Sequence, residues 1–175
     1  MTATGPVPYF AFGANVHPGW LRRRLPAAEL LGAAFLPGHR LAFRKRGSDG
    51  AGRSDACPSD DPAARLPGAL YRLEAGGLQR LGAAGAGYHL AEVEVEHAGR
   101  RVRAFTWRAD PALIADGLLP WDWYLGLIGA GAECLALPAD YRRWLATVPV
   151  AADPDARRAG VALAVIAAGC GPGGG

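Results

Sequence analysis

The chain has 175 residues, of which 50% are hydrophobic and 20% are charged, and it carries a net charge of +3. This length suits one domain with a substantial core. We therefore expect a single domain over residues 1–160, followed by a C-terminal strand and a flexible glycine-rich tail over residues 161–175. The charge is modest and no aromatic residues interleave with the basic clusters, which argues against a nucleic-acid partner. Eighteen of the 19 basic residues are arginine, which is typical of GC-rich bacterial coding rather than of a functional choice.

We expect a soluble, unprocessed protein of the cytoplasm. The first residues do not combine a basic segment with an apolar run, and the longest apolar stretch, residues 161–168, is too short to span a membrane. Cys57, Cys134 and Cys170 are widely spaced and form no Cys-x-x-Cys pair, so the sequence predicts neither a disulfide framework nor a zinc site. We predict no metal and no cofactor, and the sequence leaves the oligomeric state open.

Taken in chain order, the hydrophobic pattern predicts many strands and fewer helices. The predicted strands are residues 6–12, 29–35, 39–46, 68–74, 88–96, 101–107 and 161–167. The predicted helices are residues 18–25, 77–84, 118–136 and 139–147. The stretch 47–66 is rich in Gly, Ser, Asp and Pro and predicts a long mobile loop. Strands joined by short turns indicate an α+β fold with a small mixed, curved or barrel-like sheet flanked by helices.

The run Tyr9-Phe10-Ala11-Phe12-Gly13-Ala14-Asn15 ends a predicted strand at a glycine. Glycine lets a backbone approach a ligand closely, and successive N–H groups in such a turn form an anion-binding nest. The run resembles the Tyr-Phe-Ala-Tyr-Gly-Ser-Asn signature of the γ-glutamylcyclotransferase-like family. That resemblance implies a loop that holds the carboxylate or amide of a γ-glutamyl substrate. Phe12 and Ala14 stand where the family has a tyrosine and a serine hydroxyl.

Three further segments resemble the same family in the same order. Residues 68–73 resemble its Gly-Val-Leu-Tyr-x-Leu strand, residues 78–88 its Leu-x-x-Leu-Asp-x-x-Glu-Gly-x-x-Tyr stretch, and residues 124–141 its C-terminal helical part. The resemblance spans residues 9–155. It implies that the family aspartate maps to Gly82 and the catalytic glutamate to Gly85. A general acid–base contributes roughly 10²–10⁴-fold, so the family reaction lacks its main proton carrier here.

The resemblance also implies which residues surround a small-molecule ligand. These are Tyr9, Phe12, Gly13, Ala14, Asn15, Val16, Gly85, Tyr88 and Tyr124. We expect residues 12–16 and Gly85 to border one cavity. We further expect this cavity to be more apolar than a γ-glutamyl site, with lining from Phe12, Ala14, Ala83, Ala84 or Ala86.

Two carboxylates are candidates to replace the missing acid. Three glutamates share one strand face, and Glu92 is the nearest of them to the glycine-rich turn, although a solvated strand face is the more common explanation of such a pattern. Asp55, in the predicted loop, is the second candidate. The four histidines show no metal-ligand or triad spacing.

Three functions fit these observations. The first is a divergent enzyme that lacks the family glutamate and acts on a larger, apolar small molecule in a biosynthetic cyclisation or rearrangement. The second is a γ-glutamylamine or γ-glutamyl peptide cyclotransferase with a relocated carboxylate. The third is a non-catalytic module that binds a small molecule.

Overall fold

The computed structural model describes residues 5–83 and 85–171. Its strands are β1 Val7–Ala11, β2 Glu29–Pro37, β3 His39–Arg46, β4 Gly52–Pro58, β5 Arg65–Leu73, β6 Tyr88–His97 and β7 Arg100–Ala109. Its α-helices are α1 Pro18–Arg22, α2 Gly77–Ala83, α3 Asp122–Cys134, α4 Ala139–Leu145 and α5 Ala156–Ala167. Two short 3₁₀ helices cover Ala14–Val16 and Pro111–Leu113. Within the described residues, no helix is both long and apolar enough to cross a bilayer.

Five strands form a closed barrel in the order β1-β5-β2-β6-β7. The barrel closes where Tyr9 of β1 pairs with Phe105 of β7 in parallel, while the other barrel pairings are antiparallel. Strands β3 and β4 form a separate two-stranded sheet. The predicted α+β fold with a barrel-like sheet and flanking helices is therefore confirmed.

The side-chain pattern of β6 shows how the sequence directs one strand face inward. Val95 is fully buried and Val93 is partly buried, whereas Glu92 and Glu94 are exposed. Successive side chains of a strand point to opposite faces, so this alternation places the valines toward the core. The hairpin to β7 turns at Ala98 and Gly99, both with positive φ.

Helix α3 packs directly on the 3₁₀ helix that follows β1. A Cβ atom at Gly131 would lie 2.7 Å from the backbone nitrogen of His17 and 2.7 Å from Cγ1 of Val16. No side chain fits into that gap, so glycine at this position allows the two backbones to meet. The contact fixes the loop after β1 relative to α3.

The prediction of a long mobile loop over residues 47–66 is wrong, because β4 occupies its centre. Strand β4 pairs with β3 in antiparallel register, and its residues Ser54, Asp55 and Ala56 are buried. The segment contains no β-branched residue, so its composition gave no indication of a strand. Backbone pairing with β3 and burial stabilise the strand instead. Gly52 allows this pairing, since a Cβ there would lie 2.4 Å from the carbonyl oxygen of Phe43.

The prediction of a strand over residues 161–167 is also wrong, because these residues belong to α5. The carboxylate of Asp155 accepts hydrogen bonds from the backbone N–H groups of Arg157 and Arg158 at 3.0 and 3.1 Å and caps the helix. The helix exposes Leu163 and buries Ala162. Of the predicted glycine-rich tail, residues 172–175 lie outside the described residues.

The expectation that no disulfide forms is contradicted by the structure. Cys134 at the end of α3 and Cys170 beyond α5 are joined, with their Cα atoms 5.6 Å apart. The two cysteines are 36 residues apart in sequence, and only the packing of α5 against α3 brings them together. Cys57 is a free cysteine.

Candidate functional site

One cavity of about 510 Å³ opens between the barrel and the β3–β4 sheet. Its walls come from the loop after β1, the β3–β4 hairpin, the turn between α2 and β6, and the start of α3. This volume lies within the range of cavities that bind small molecules in proteins.

The structure brings most of the predicted ligand-binding residues to this cavity. Those lining it are Tyr9, Phe12, Gly13, Ala14, Asn15, Gly85, Tyr88 and Tyr124. Val16 does not line it: the residue is buried, and its carbonyl oxygen accepts a hydrogen bond from the hydroxyl of Tyr71 at 3.3 Å. Ala86 contributes to the lining and Ala83 does not, while Ala84 lies outside the described residues.

A buried hydroxyl pair lies beside the loop after β1. The Tyr124 hydroxyl accepts from the backbone N–H of Ser54 at 3.2 Å and lies 2.9 Å from Oγ of Ser54. A Cβ at Gly13 would lie 3.0 Å from both the Tyr124 hydroxyl and the Ser54 Oγ. A side chain at position 13 would therefore crowd this pair, which joins β4 to α3 at one wall of the cavity.

Two other tyrosines present neutral hydroxyls near the cavity. The Asn15 side-chain amide donates to the Tyr9 hydroxyl at 3.2 Å, and the Tyr88 hydroxyl donates to the Ser54 carbonyl oxygen at 2.9 Å. Burial raises the pKa of Tyr9 to about 12 and raises the pKa of Tyr88 well above its usual range. At neutral pH both groups remain protonated, so neither serves as the missing base.

The two positions that the resemblance assigns to acids differ in the space around them. A Cβ at Gly82 would lie 2.5 Å from Cη2 of Trp107, so the indole fills this site. A Cβ at Gly85 would lie 3.7 Å from the Leu81 carbonyl oxygen and 3.8 Å from Cδ2 of Tyr88, which leaves room. Trp107 lines the cavity, and its buried Nε1–H has no hydrogen-bond partner in the described structure.

A buried lysine lies beside the position of the missing glutamate. Nζ of Lys45 donates to the Ala86 carbonyl oxygen at 2.7 Å and lies 4.8 Å from the ring centroid of Tyr88. The residue is 4% exposed. Burial lowers the pKa of Lys45, and the nearby charge of Arg53 lowers it further, whereas Asp49 opposes the shift. Lys45 is therefore buried, although its neighbour Arg46 in the sequence is exposed.

The cavity lining is positively charged as well as aromatic. Besides Lys45, three arginines line it: Arg53 is half-buried, and Arg24 and Arg46 are exposed. The guanidinium of Arg53 lies 5.0 Å from the Tyr124 ring centroid and donates to Asp49 at 2.6 Å. Among the residues that the structure describes, no Asp or Glu lines the cavity. We expected a cavity more apolar than a γ-glutamyl site, and that expectation did not include the positive charge of the lining.

Neither candidate for a relocated carboxylate lines the cavity. Glu92 is on the exposed face of β6, with its carboxylate 3.9 Å from the guanidinium of Arg103. Asp55 is buried, and its carboxylate accepts from Nε of Arg44 at 2.7 Å. The described residues also include no group of three or more His, Cys, Asp or Glu arranged to bind a metal ion.

Sequence reasoning missed Lys45, Arg53, Ser54 and Trp107 as cavity residues. One feature of the sequence could have drawn attention to Lys45, which is the only lysine among 19 basic residues. The others lie in segments that were predicted as a loop or as an ordinary strand.

Comparison with known proteins identifies the fold. The chain matches no protein-family model and no curated protein. It is similar to the solved structure of the uncharacterized protein loc79017 from Homo sapiens, with 19% identity, a TM-score of 0.77, and coverage of 93% of this chain and 99% of that one. A structure named gamma-glutamyl cyclotransferase gives 20% identity, a TM-score of 0.77, and coverage of 94% and 99%. YkqA from Bacillus subtilis gives 23% identity and a TM-score of 0.67, covering 83% of this chain and 56% of that one.

The chain therefore has the γ-glutamylcyclotransferase fold, which confirms the fold that the sequence resemblance implied.

Proposed function

We propose that this chain is a divergent member of its fold that binds a small organic anion with an apolar portion and does not perform γ-glutamyl cyclotransfer. The observation that carries the proposal is the lining of the cavity. Four cationic side chains and several aromatic rings line it, and no carboxylate of the described residues does.

Charge and burial favour an anionic ligand. The Lys45 ammonium is buried and bonds only to a carbonyl oxygen, while Arg53 next to it repels it. A ligand carboxylate within a few ångströms of these groups relieves that repulsion, in a site where water screens poorly. Trp20, Trp107 and Trp123 supply apolar surface for the rest of the ligand.

The same lining disfavours the cyclotransferase reaction. That reaction needs a base for the α-amino group of the substrate, and position 85 has no side chain. An α-ammonium group placed beside Lys45 would also meet a like charge. A cyclisation or rearrangement of an anionic substrate suits such a cavity better, because positioning and fixed dipoles supply rate without a strong base.

Thermal shift with three isosteric probes tests the proposal. We expect 3-phenylpropanoate to raise Tm, and we expect 3-phenylpropanol and 3-phenylpropylamine to have little effect. The shift should fall with added salt and should decrease in Lys45→Met. Arg143→Met is the matched control, since Arg143 is exposed on α4 away from the cavity. Equal shifts with the anion and the alcohol would refute an anion site.

A further inference from the structure

Lys45 is exceptional in composition as well as in position. The chain uses arginine at 18 of its 19 basic positions, and the single lysine lies buried in the cavity. If only a positive charge were needed there, arginine would serve, as it does elsewhere in the chain. Lysine differs from arginine in that it can lose its proton and become a nucleophile.

The surroundings of Lys45 hold its side chain in one direction. Its Cε and Nζ would lie 3.0 and 3.1 Å from a Cβ at Gly87, where φ is +81°. The amine donates to the Ala86 carbonyl oxygen and lies over the Tyr88 ring. None of these neighbours is a carboxylate, and no ion pair to Lys45 is found among the described residues. The amine is thus positioned at the cavity wall without a carboxylate in direct contact, and Asp49 acts on its charge only from a distance.

We propose that Lys45 forms a Schiff base with the carbonyl carbon of a small 2-oxo acid bound in this cavity. In the first step the unprotonated amine attacks the carbonyl carbon, a C–N bond forms, and the carbonyl oxygen becomes a hydroxyl after taking a proton from the nitrogen. The C–O bond then breaks, the hydroxyl leaves as water together with the second nitrogen proton, and the C=N bond forms. A buried lysine near a second cation is a recognised way to activate such an amine.

The cavity indicates the substrate class. A carboxylate next to the reacting carbonyl would lie near Arg53, whose guanidinium lines the same cavity. Trp107 and Trp123 also line the cavity, so it offers apolar surface for an aryl or other bulky apolar substituent on the third carbon. Burial and the charge of Arg53 both lower the pKa of Lys45, against a smaller opposing effect of Asp49, which increases the fraction of free amine at neutral pH. The inference rests on the proposed anion site and adds a covalent step to it.

Reductive trapping tests the covalent step. The full chain is incubated with phenylpyruvate and sodium cyanoborohydride, and the labelled residue is mapped by mass spectrometry of peptides. We expect one adduct on Lys45 that forms faster in the folded chain than at the same lysine in urea. Because Lys45 is the only lysine, the α-amino group is an internal reference. Labelling of the α-amino group alone would overturn the proposal.

Three controls separate binding from chemistry. Phenyllactate carries the carboxylate without the carbonyl, so it should raise Tm and slow the labelling of Lys45. Phenylacetone carries the carbonyl without the carboxylate, and labelling as fast as with phenylpyruvate would refute the 2-oxo acid class. Lys45→Arg keeps the charge, so it should keep the phenyllactate shift and lose the adduct.

The outcomes distinguish this inference from the proposed function. A phenyllactate shift without any Lys45 adduct overturns the Schiff base and leaves the anion site standing. No phenyllactate shift together with no adduct overturns both. If Lys45→Arg does not fold, peptide mapping of the adduct on the wild-type chain still shows whether Lys45 forms the Schiff base.

Discussion

The indole of Trp107 occupies the space that a side chain at position 82 would need. A Cβ atom at Gly82 would lie 2.5 Å from Cη2 and 2.7 Å from Cζ2 of this ring. Gly82 is in α2 and Trp107 is in β7, so the ring joins the helix to the barrel beside the cavity. Glycine at 82 and tryptophan at 107 are sterically linked.

Gly82→Ala should destabilise the protein even though alanine is the better helix former. Overpacking against Trp107 costs about 1–3 kcal/mol, which exceeds the gain of about 0.5–1 kcal/mol from replacing a helical glycine. Urea denaturation measures the difference. Gly85→Ala is the matched control, because a Cβ there meets nothing closer than 3.7 Å. Equal losses in the two variants would contradict the steric argument.

The wild-type chain should release no 5-oxoproline from γ-glutamyl amines, and Gly85→Glu should not restore the reaction. The cavity has room for the new side chain, but its carboxylate would meet the Lys45 amine, and Gly82, Phe12 and Ala14 leave its supporting groups missing. Chromatographic detection of 5-oxoproline provides the measurement. Turnover that disappears in Glu92→Gln or Asp55→Asn would show that an acid has moved, and the cyclotransferase would then replace our proposal.

Tyr124→Phe should lower both stability and ligand binding. Its hydroxyl accepts from the buried N–H of Ser54, and leaving that group unpaired costs about 1–3 kcal/mol. The loop at Gly13 should loosen with it, since Gly13 lies against the same hydroxyl. Tyr141→Phe is the control, because that hydroxyl has no hydrogen-bond partner among the described residues. Urea denaturation and the 3-phenylpropanoate shift in Tm measure the two effects, and equal changes in both variants would refute the role of Tyr124.

Lys45→Met should flatten the rise of stability with pH below 10.5. Burial lowers the folded-state pKa of Lys45 from its ordinary 10.5, with Arg53 reinforcing and Asp49 opposing the shift, and the Tyr88 ring adjacent. Between the two pKa values the unfolded chain binds more protons, so wild-type stability rises with pH in that window. Urea midpoints at several pH values compare the two proteins. Parallel curves would show that Lys45 keeps its ordinary pKa.

Cys170→Ser should destabilise the folded protein by removing its link to Cys134. A disulfide across 36 residues contributes about 4 kcal/mol in the chain-entropy model. Hydrogen exchange of α5 should rise most, because the link ties this helix to α3. Cys57→Ser is the control, since Cys57 is free. Equal exchange in α5 for both variants would mean that packing alone holds the helix.

Local patterns in the sequence were sufficient for the α+β fold class, and the family resemblance indicated the barrel and one wall of the site. Two such local patterns are properties of neighbouring residues. They are the alternation in β6, which directs Val93 and Val95 inward, and the run from Tyr9 to Asn15. Such patterns report the direction of side chains within one element, because the strand period is two. They indicated the fold class and the hairpin β6–β7, whereas the loop beside the cavity followed from the family resemblance.

Only the tertiary structure decided the charge and chemistry of the site. The Lys45 amine reaches the carbonyl of Ala86 across 41 residues of sequence, and Trp107 of β7 fills the space above Gly82 of α2. Packing of α5 against α3 brings Cys134 to Cys170. Pairing with β3 makes β4 a strand although it has no β-branched residue. The sequence alone determined which side chains exist and how each element directs them. Which of them meet, and what burial does to the Lys45 amine, depends on contacts between elements that no local pattern encodes.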